Sequence, residues 1–237
     1  MEKKAGFFRN VVANLVMALV LIFTAVYVYL DDSTAVFSED PIYKGSSPTN
    51  VSLMINVYWG TEYIDELLRI FQENDMVTTF FVGGTWAAEH NEKLKQIYAA
   101  GHEVGNHGYF HKDHKKLGAE RNREEIEVTH KLVKSILGYD MNLFAPPNGS
   151  FSQATLEGAK ELGYTTILWS KDTEDWRDHD TEQIYMRAVK DLKGGDLILM
   201  HPTKETMLAL DSILKTIHDK GLKVTPVSAV IHAEGSW

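Results

Sequence analysis

From residue 50 onward the chain repeats one pattern: a short apolar run, then a longer stretch whose apolar residues recur every three to four positions. The runs at 51–56 (VSLMIN), 77–82 (VTTFFV), 102–105, 142–145, 164–169 (YTTILW), 196–200 (DLILM) and 223–226 have strand length and strand composition. Between them, 63–72, 87–100, 124–137, 155–162, 183–192 and 206–218 carry the helical period. Gly101, Gly138, Gly163 and Gly221 follow predicted helices, where a C-terminal cap takes a left-handed residue. Strand then helix, repeated about seven times, predicts a parallel sheet with helical crossovers. An open doubly wound sheet and a closed or incomplete barrel fit this periodicity equally. Both place chemistry at the C-terminal ends of the strands.

A different pattern comes first. Residues 11–30 carry no charge, and Asn14 is their one strongly polar side chain. About 20 such residues span a bilayer as a helix. Lys3, Lys4 and Arg9 precede the run, and Asp31 and Asp32 close it. The basic flank should stay in the cytoplasm, so the remainder faces outward. The run exceeds the ~7–15 apolar residues of a cleaved signal peptide, and it ends in Tyr27-Val28-Tyr29-Leu30 rather than a small-x-small site. The expected organisation is a basic cytoplasmic segment (1–10), a transmembrane signal-anchor (11–30), a polar linker (31–49) and an extracytoplasmic folded domain (50–232). Pro41, Gly45, Pro48 and several serines mark the linker.

Composition narrows the function. The net charge of -9 and the absence of a basic stripe argue against nucleic acid as a partner. The chain has no cysteine, which excludes disulfides and thiolate metal sites. Chemistry must come from the predicted strand ends. Asn56 ends the first strand. Asn106-His107-Gly108-Tyr109-Phe110-His111 follows the third, and Phe144-Ala145-Pro146-Pro147-Asn148-Gly149 the fourth. Asp172-Thr173-Glu174-Asp175-Trp176 follows the fifth, and Leu199-Met200-His201 ends the sixth. His107 and His111 can converge on a cation if their glycine-containing loop curls, and imidazole suits zinc. They read equally as surface histidines in a stretch that also holds His102 and His114, since a four-ligand zinc site needs at least one more protein ligand. His201 reads either as a satisfied core histidine or as a general acid supported by Asp175. Trp176 reads as packing or as the wall of a sugar or acyl pocket. Asp172 and Glu174 read as solvated loop charges or helix-start acids.

Those strand ends, in that order, resemble the polysaccharide deacetylases, the NodB-type carbohydrate esterases of family 4, over roughly residues 50 to 230. The matching stretches are T-F-F-V-G (79–83), G-H-E-V-G-N-H-G-Y-F-H (101–111, with Gly108 where Ser or Thr is usual), D-T-E-D-W (172–176) and L-M-H (199–201). The resemblance implies a distorted, incomplete (β/α)7 barrel. It implies metal-dependent removal of acetyl from an N-acetylated glycan such as peptidoglycan or chitin, with zinc the favoured divalent ion. His107 and His111 would be metal ligands, and Asp175 would orient His201, the acid. Trp176 and Leu199 would wall the acetyl pocket beside Pro147. The Asn148 N–H would be the oxyanion donor.

Two departures are linked. The family's T-F-D-D-G reads here Met54-Ile55-Asn56-Val57-Tyr58, which puts Asn56 at the catalytic base and Val57 at the third metal ligand. The Arg of R-P-P-x-G, which orients that base, is Ala145. An Arg kept without its carboxylate would leave a buried charge unpaired, so losing both is one coherent change. A carboxylate could substitute from nearby, Glu62 first and Asp113 second. The sequence N-V-Y-W-G-T-E-Y (56–63) is similar to a sporulation-associated, membrane-anchored subgroup. Two functions follow as alternatives: an active deacetylase that recruits Glu62 as base and ligand, or a catalytically impaired pseudoenzyme that binds cell-wall glycan or a protein partner.

Overall fold

The structure, a computed structural model, describes residues 16–22, 24 and 40–232. The chain divides into two compact units, 1–37 and 38–237. In the first, residues 16–22 are helical, and Val16, Met17, Leu19, Val20, Leu21 and Ile22 are exposed. Among the described residues no helix is long and apolar enough to cross a membrane; much of the predicted span 11–30 lies outside them.

The second unit opens with strand β1 (Asn50–Val57), helix α1 (Ile64–Glu73), β2 (Thr79–Val82), α2 (Gly84–Glu89), α3 (Asn91–Ala99) and β3 (Glu103–Asn106). Then come α4 (Ala119–Leu137), β4 (Leu143–Phe144), α5 (Gln153–Glu161), β5 (Thr165–Thr166) and β6 (Lys171–Asp172). The last elements are α6 (Thr181–Val189), β7 (Leu197–Met200), α7 (Lys204–Asp219), β8 (Lys223–Val224) and α8 (Val227–Ile231). The strands pair in parallel in the order β5-β4-β3-β2-β1-β7-β6, with β8 beside the start of β1. Strands β5 and β6 end this order, yet only residues 167–170 join them. Laid flat, six spacings of about 4.8 Å would separate them by about 29 Å. Five chain steps reach at most about 18 Å. The sheet must therefore curl, and the result is an incomplete α/β barrel, as the resemblance implies.

The pleat of β1 sorts its side chains. Val51, Leu53, Ile55 and Val57 join the core beneath the helices, while Met54 joins a barrel-interior cluster with Phe81, Leu143, Ala145, Ile167 and Leu197. Asn56 shares Met54's parity and so faces the interior.

Three sequence readings are corrected. The predicted helix 87–100 is two helices, α2 and α3, that break at His90 (φ -126°, ψ 43°). The predicted strand 164–169 is only β5, and β6 leaves it for the opposite edge. The linker ends near residue 40 rather than 49: Ile42 bridges Ile167, and Lys44 bridges Asp196, so this strap occupies the gap between β5 and β7. The fit is close. A Cβ on Gly45 would lie 2.3 Å from the Val230 carbonyl oxygen, and one on Gly194 would lie 2.1 Å from that of Pro48.

Candidate active site

The strand ends open onto a cleft of 350 Å³ lined by Asn56, Tyr58, His107, His111, Asn148, Trp169, Asp172, Trp176, Leu199 and His201. The His107 and His111 rings lie 5.1 Å apart, centre to centre. The loop that carries them turns through Gly108 (φ 73°) and His111 (φ 53°). Glu125 of α4 fastens it by accepting the backbone N–H groups of Tyr109 (2.9 Å) and Phe110 (2.7 Å). His107 donates its Nδ1–H to the Ala145 carbonyl (2.7 Å), which leaves Nε2 unprotonated. Burial, and then the neighbouring His111, hold the His107 pKa well below the ordinary value. Burial, and then His201, hold His111 down at about 4. Both imidazoles are neutral near pH 7.

Across the cleft, Asp175 is fully engaged. Its Oδ1 accepts the Nδ1–H of His201 (2.7 Å), and its Oδ2 accepts the His201 backbone N–H (2.6 Å) and the Thr206 hydroxyl (2.6 Å). The expected His201–Asp175 contact is therefore present, with His201 at the cleft and Asp175 behind it. Leu199, Trp176 and Asn148 also line the cleft, Asn148 in the left-handed conformation (φ 57°). Pro147 is buried and does not line it.

Glu62 is a correction. It is exposed, lies outside the cleft and accepts the Thr61 backbone N–H (2.9 Å), so it stabilises its own turn instead of reaching the histidines. Asp113 does not reach them either: it accepts the Ser150 hydroxyl (2.6 Å) and pairs with Lys116 (2.8 Å). Val57 is fully buried beneath the helices, and Ala145 packs in the barrel interior. Asn56 is buried at the cleft floor, and its Oδ1 has no hydrogen-bond partner.

Sequence reasoning missed Tyr58, Trp169 and Asp172 as cleft residues. Tyr58 is the most consequential. Its ring stacks on His111 (3.5 Å between centres, 18°), 5.8 Å from His107 and 6.1 Å from His201. Its signal was available in the alignment to T-F-D-D-G, where a large ring replaces glycine. Burial, and then Asp175, raise its pKa, so the phenol stays neutral.

A curled parallel α/β barrel with a His–Asp pair facing two further histidines at its strand ends defines a hydrolase-type architecture. A family model described as polysaccharide deacetylase matches residues 44–167. The uncharacterized protein YlxY of Bacillus subtilis (strain 168) is 36% identical over 81% of this chain, and the match spans 60% of YlxY's length. A peptidoglycan-N-acetylglucosamine deacetylase of Bacillus cereus is 31% identical over 71% of this chain and 82% of its own. Among solved structures, a CE4 family pseudoenzyme from Bacillus anthracis superposes with a TM-score of 0.78 at 34% identity, covering 81% of this chain and 68% of that one. A mutant of that pseudoenzyme is described as having restored enzymatic activity. This chain belongs to the polysaccharide deacetylase family, whose named deacetylases are hydrolases of carbon–nitrogen bonds other than peptide bonds.

The family's deacetylases are metal-dependent, and the donors present here do not fit that metal. A catalytic zinc takes three protein ligands. His107 and His111 form a pair, His201 is tied to Asp175 across the cleft, and among the described residues no group of three His, Asp or Glu is placed to hold a metal ion. The third-ligand position is apolar Val57, and the Tyr58 ring lies flat against His111.

Proposed function

We propose that this chain binds an N-acetylated cell-wall glycan in the cleft, and that hydrolysis of the acetamide is suppressed by Asn56, Val57 and Ala145. Asn56 carries the reading. A general base must accept a proton near neutral pH, and a carboxamide does not. Its carboxamide instead lines the cleft as a neutral group that can donate to, or accept from, the acetamido group of a ligand. Leu199 and Trp169 supply apolar wall for the acetyl methyl. The peptidoglycan deacetylases among its relatives and the pseudoenzyme among its structural neighbours support this reading. In this proposal the domain works on the outer face of the membrane, which the uncharged run 11–30 behind Lys3, Lys4 and Arg9 supports.

The intact His201–Asp175 pair favours a second reading, a slow hydrolase. One experiment separates the two. The full chain is titrated calorimetrically with chito-oligomers, N-acetylated or not, while acetate release and bound zinc are measured. Binding that requires the acetyl group, without acetate and without stoichiometric zinc, is the expected outcome. Sustained acetate release by the wild-type chain would overturn the pseudoenzyme reading in favour of the hydrolase.

A further inference from the structure

Beneath the histidine loop, Asn106 ends β3 and is fully buried. Its Oδ1 accepts the Gly108 backbone N–H (2.9 Å), and its Nδ2 donates to the Ile126 carbonyl of α4 (2.8 Å). These two backbone groups fix the amide, because a flipped carboxamide would set donor against donor at Gly108 and acceptor against acceptor at Ile126. The second Nδ2 proton goes to the Tyr164 hydroxyl oxygen (3.2 Å). Tyr164 is buried just before β5, and burial lifts its pKa to about 12, so the phenol keeps its proton. With the oxygen accepting from Asn106, that proton is donated to His130 Nδ1 on α4 (2.7 Å). His130 Nδ1 is then unprotonated, and its Nε2–H donates to Asp140 (3.1 Å). Every bond direction from Gly108 through Asn106, Tyr164 and His130 to Asp140 is thus set from the buried end.

The outer end of the chain of bonds is open to water. His130 is half-buried and lines a cavity of 180 Å³ with Glu127, Lys131, Leu162 and Tyr164, and Asp140 is exposed. The charges around the ring offset one another: Asp140 pairs with Lys134 (2.7 Å), and Glu127 with Lys131 (2.5 Å). Beyond α4 the cavity wall is Leu162 and Tyr164. Tyr139 also acts on Tyr164, and burial keeps its phenol neutral. A proton can therefore reach His130 from solvent. Once both ring nitrogens carry protons, Nδ1 can only donate. The displaced phenol proton then faces Asn106 Nδ2, the hydroxyl's other partner among the described residues, and donor meets donor. A buried donor left without an acceptor is costly, so the Tyr164 hydroxyl must give up its bond to Asn106.

We propose that Tyr164 and His130 are positioning residues for the histidine loop: a proton taken up by His130 on α4 loosens Asn106 and, through it, the Gly108 turn between His107 and His111. The coupling belongs to the loop and stands apart from the glycan-binding reading above. The full chain, labelled with 15N, is titrated by NMR from pH 8 to pH 5 while the His130 ring and the Gly108 amide are followed together. His107 and His111, held down by burial, are told apart by their own ring signals. The Gly108 amide is expected to shift with an inflection at the midpoint of the His130 titration. In Tyr164→Phe, His130 should still titrate while that inflection disappears. In His130→Gln, which keeps a neutral acceptor for the Tyr164 hydroxyl, the inflection should disappear too. Circular dichroism and thermal melting check the fold of each variant, and His130→Gln, at a half-buried helix position, decides the matter where Tyr164→Phe does not fold. A Gly108 amide that passes unmoved through the His130 midpoint, or an inflection that survives in either folded variant, overturns the coupling.

Discussion

Asn56 shows how much one atom decides. The amide and the carboxylate have nearly the same shape, but only the carboxylate takes a proton near neutrality. Ala145, packed in the barrel interior, brings no cation to pair with a charge at position 56. Asn56→Asp is therefore expected to destabilise the fold by about 1–3 kcal/mol at pH 7. The penalty raises the folded-state pKa of the new carboxyl, so it should shrink as the pH falls and the group is protonated. Adding Ala145→Arg should recover part of the loss. Urea denaturation at pH 7 and pH 5 checks this, and equal penalties at both would show that the site tolerates the charge. Tyr58 closes the argument at this scale: its ring lies against His111, in the same cleft as His107 and His201.

At the scale of elements, the segment between β6 and α6 brings Asp175 and Trp176 to the site and is braced from α6. Arg187 donates to the Thr173 carbonyl (3.2 Å) and pairs with Glu174 (3.0 Å) and Asp178 (2.7 Å), on both sides of Asp175 and Trp176. Glu174 takes a left-handed backbone (φ 54°), a conformation that the surrounding contacts must hold. Arg187→Met keeps the apolar stem and removes the brace. It is expected to weaken chito-oligomer binding about fivefold, a loss of about 1 kcal/mol, with a smaller effect on melting temperature. An unchanged affinity would show that the loop holds its shape without Arg187. The break at His90 has a similar origin. Trp86 of α2 is tied to the Gly60 turn, and a Cβ on Gly84 would lie 2.2 Å from the Tyr109 ring, so α2 is aimed by the site loops and not by its own period.

The whole domain keeps four imidazoles neutral. Burial lowers His102 to about 4, His111 to about 4, and His107 and His114 below their usual value. The unfolded chain therefore binds more protons than the folded one between the ordinary histidine pKa of 6.5 and these lower values. Stability should be complete above about pH 6.5 and should fall as the pH drops toward 4. The carboxylate pairs lose their contribution only at still lower pH, as at Asp178, held at about 2 by Arg177 and Arg187. Denaturation midpoints from pH 8 to pH 4 test this; a flat profile between 6.5 and 4.5 would show that these rings accept protons without cost.

The strand–helix alternation, the capping glycines and the order of chemistry at the strand ends were all legible, because periodicity and turn chemistry are local properties. Gly138 takes the left-handed cap that its position predicts (φ 68°), and His107, His111 and His201 meet in one cleft. The choice between open sheet and barrel was not legible. It depends on β5 and β6, four residues apart in sequence, lying at opposite ends of the strand order. The strap at Ile42 read as linker because its pairing with Ile167 joins segments more than a hundred residues apart. Glu62 had the right charge and near-right spacing for a ligand, but spacing cannot say whether a carboxylate turns toward the histidines or back to its own backbone. Sequence therefore settled which groups stand at the strand ends. Only the tertiary structure decided which of them share a space, since side-chain direction is set by packing between distant parts of the chain.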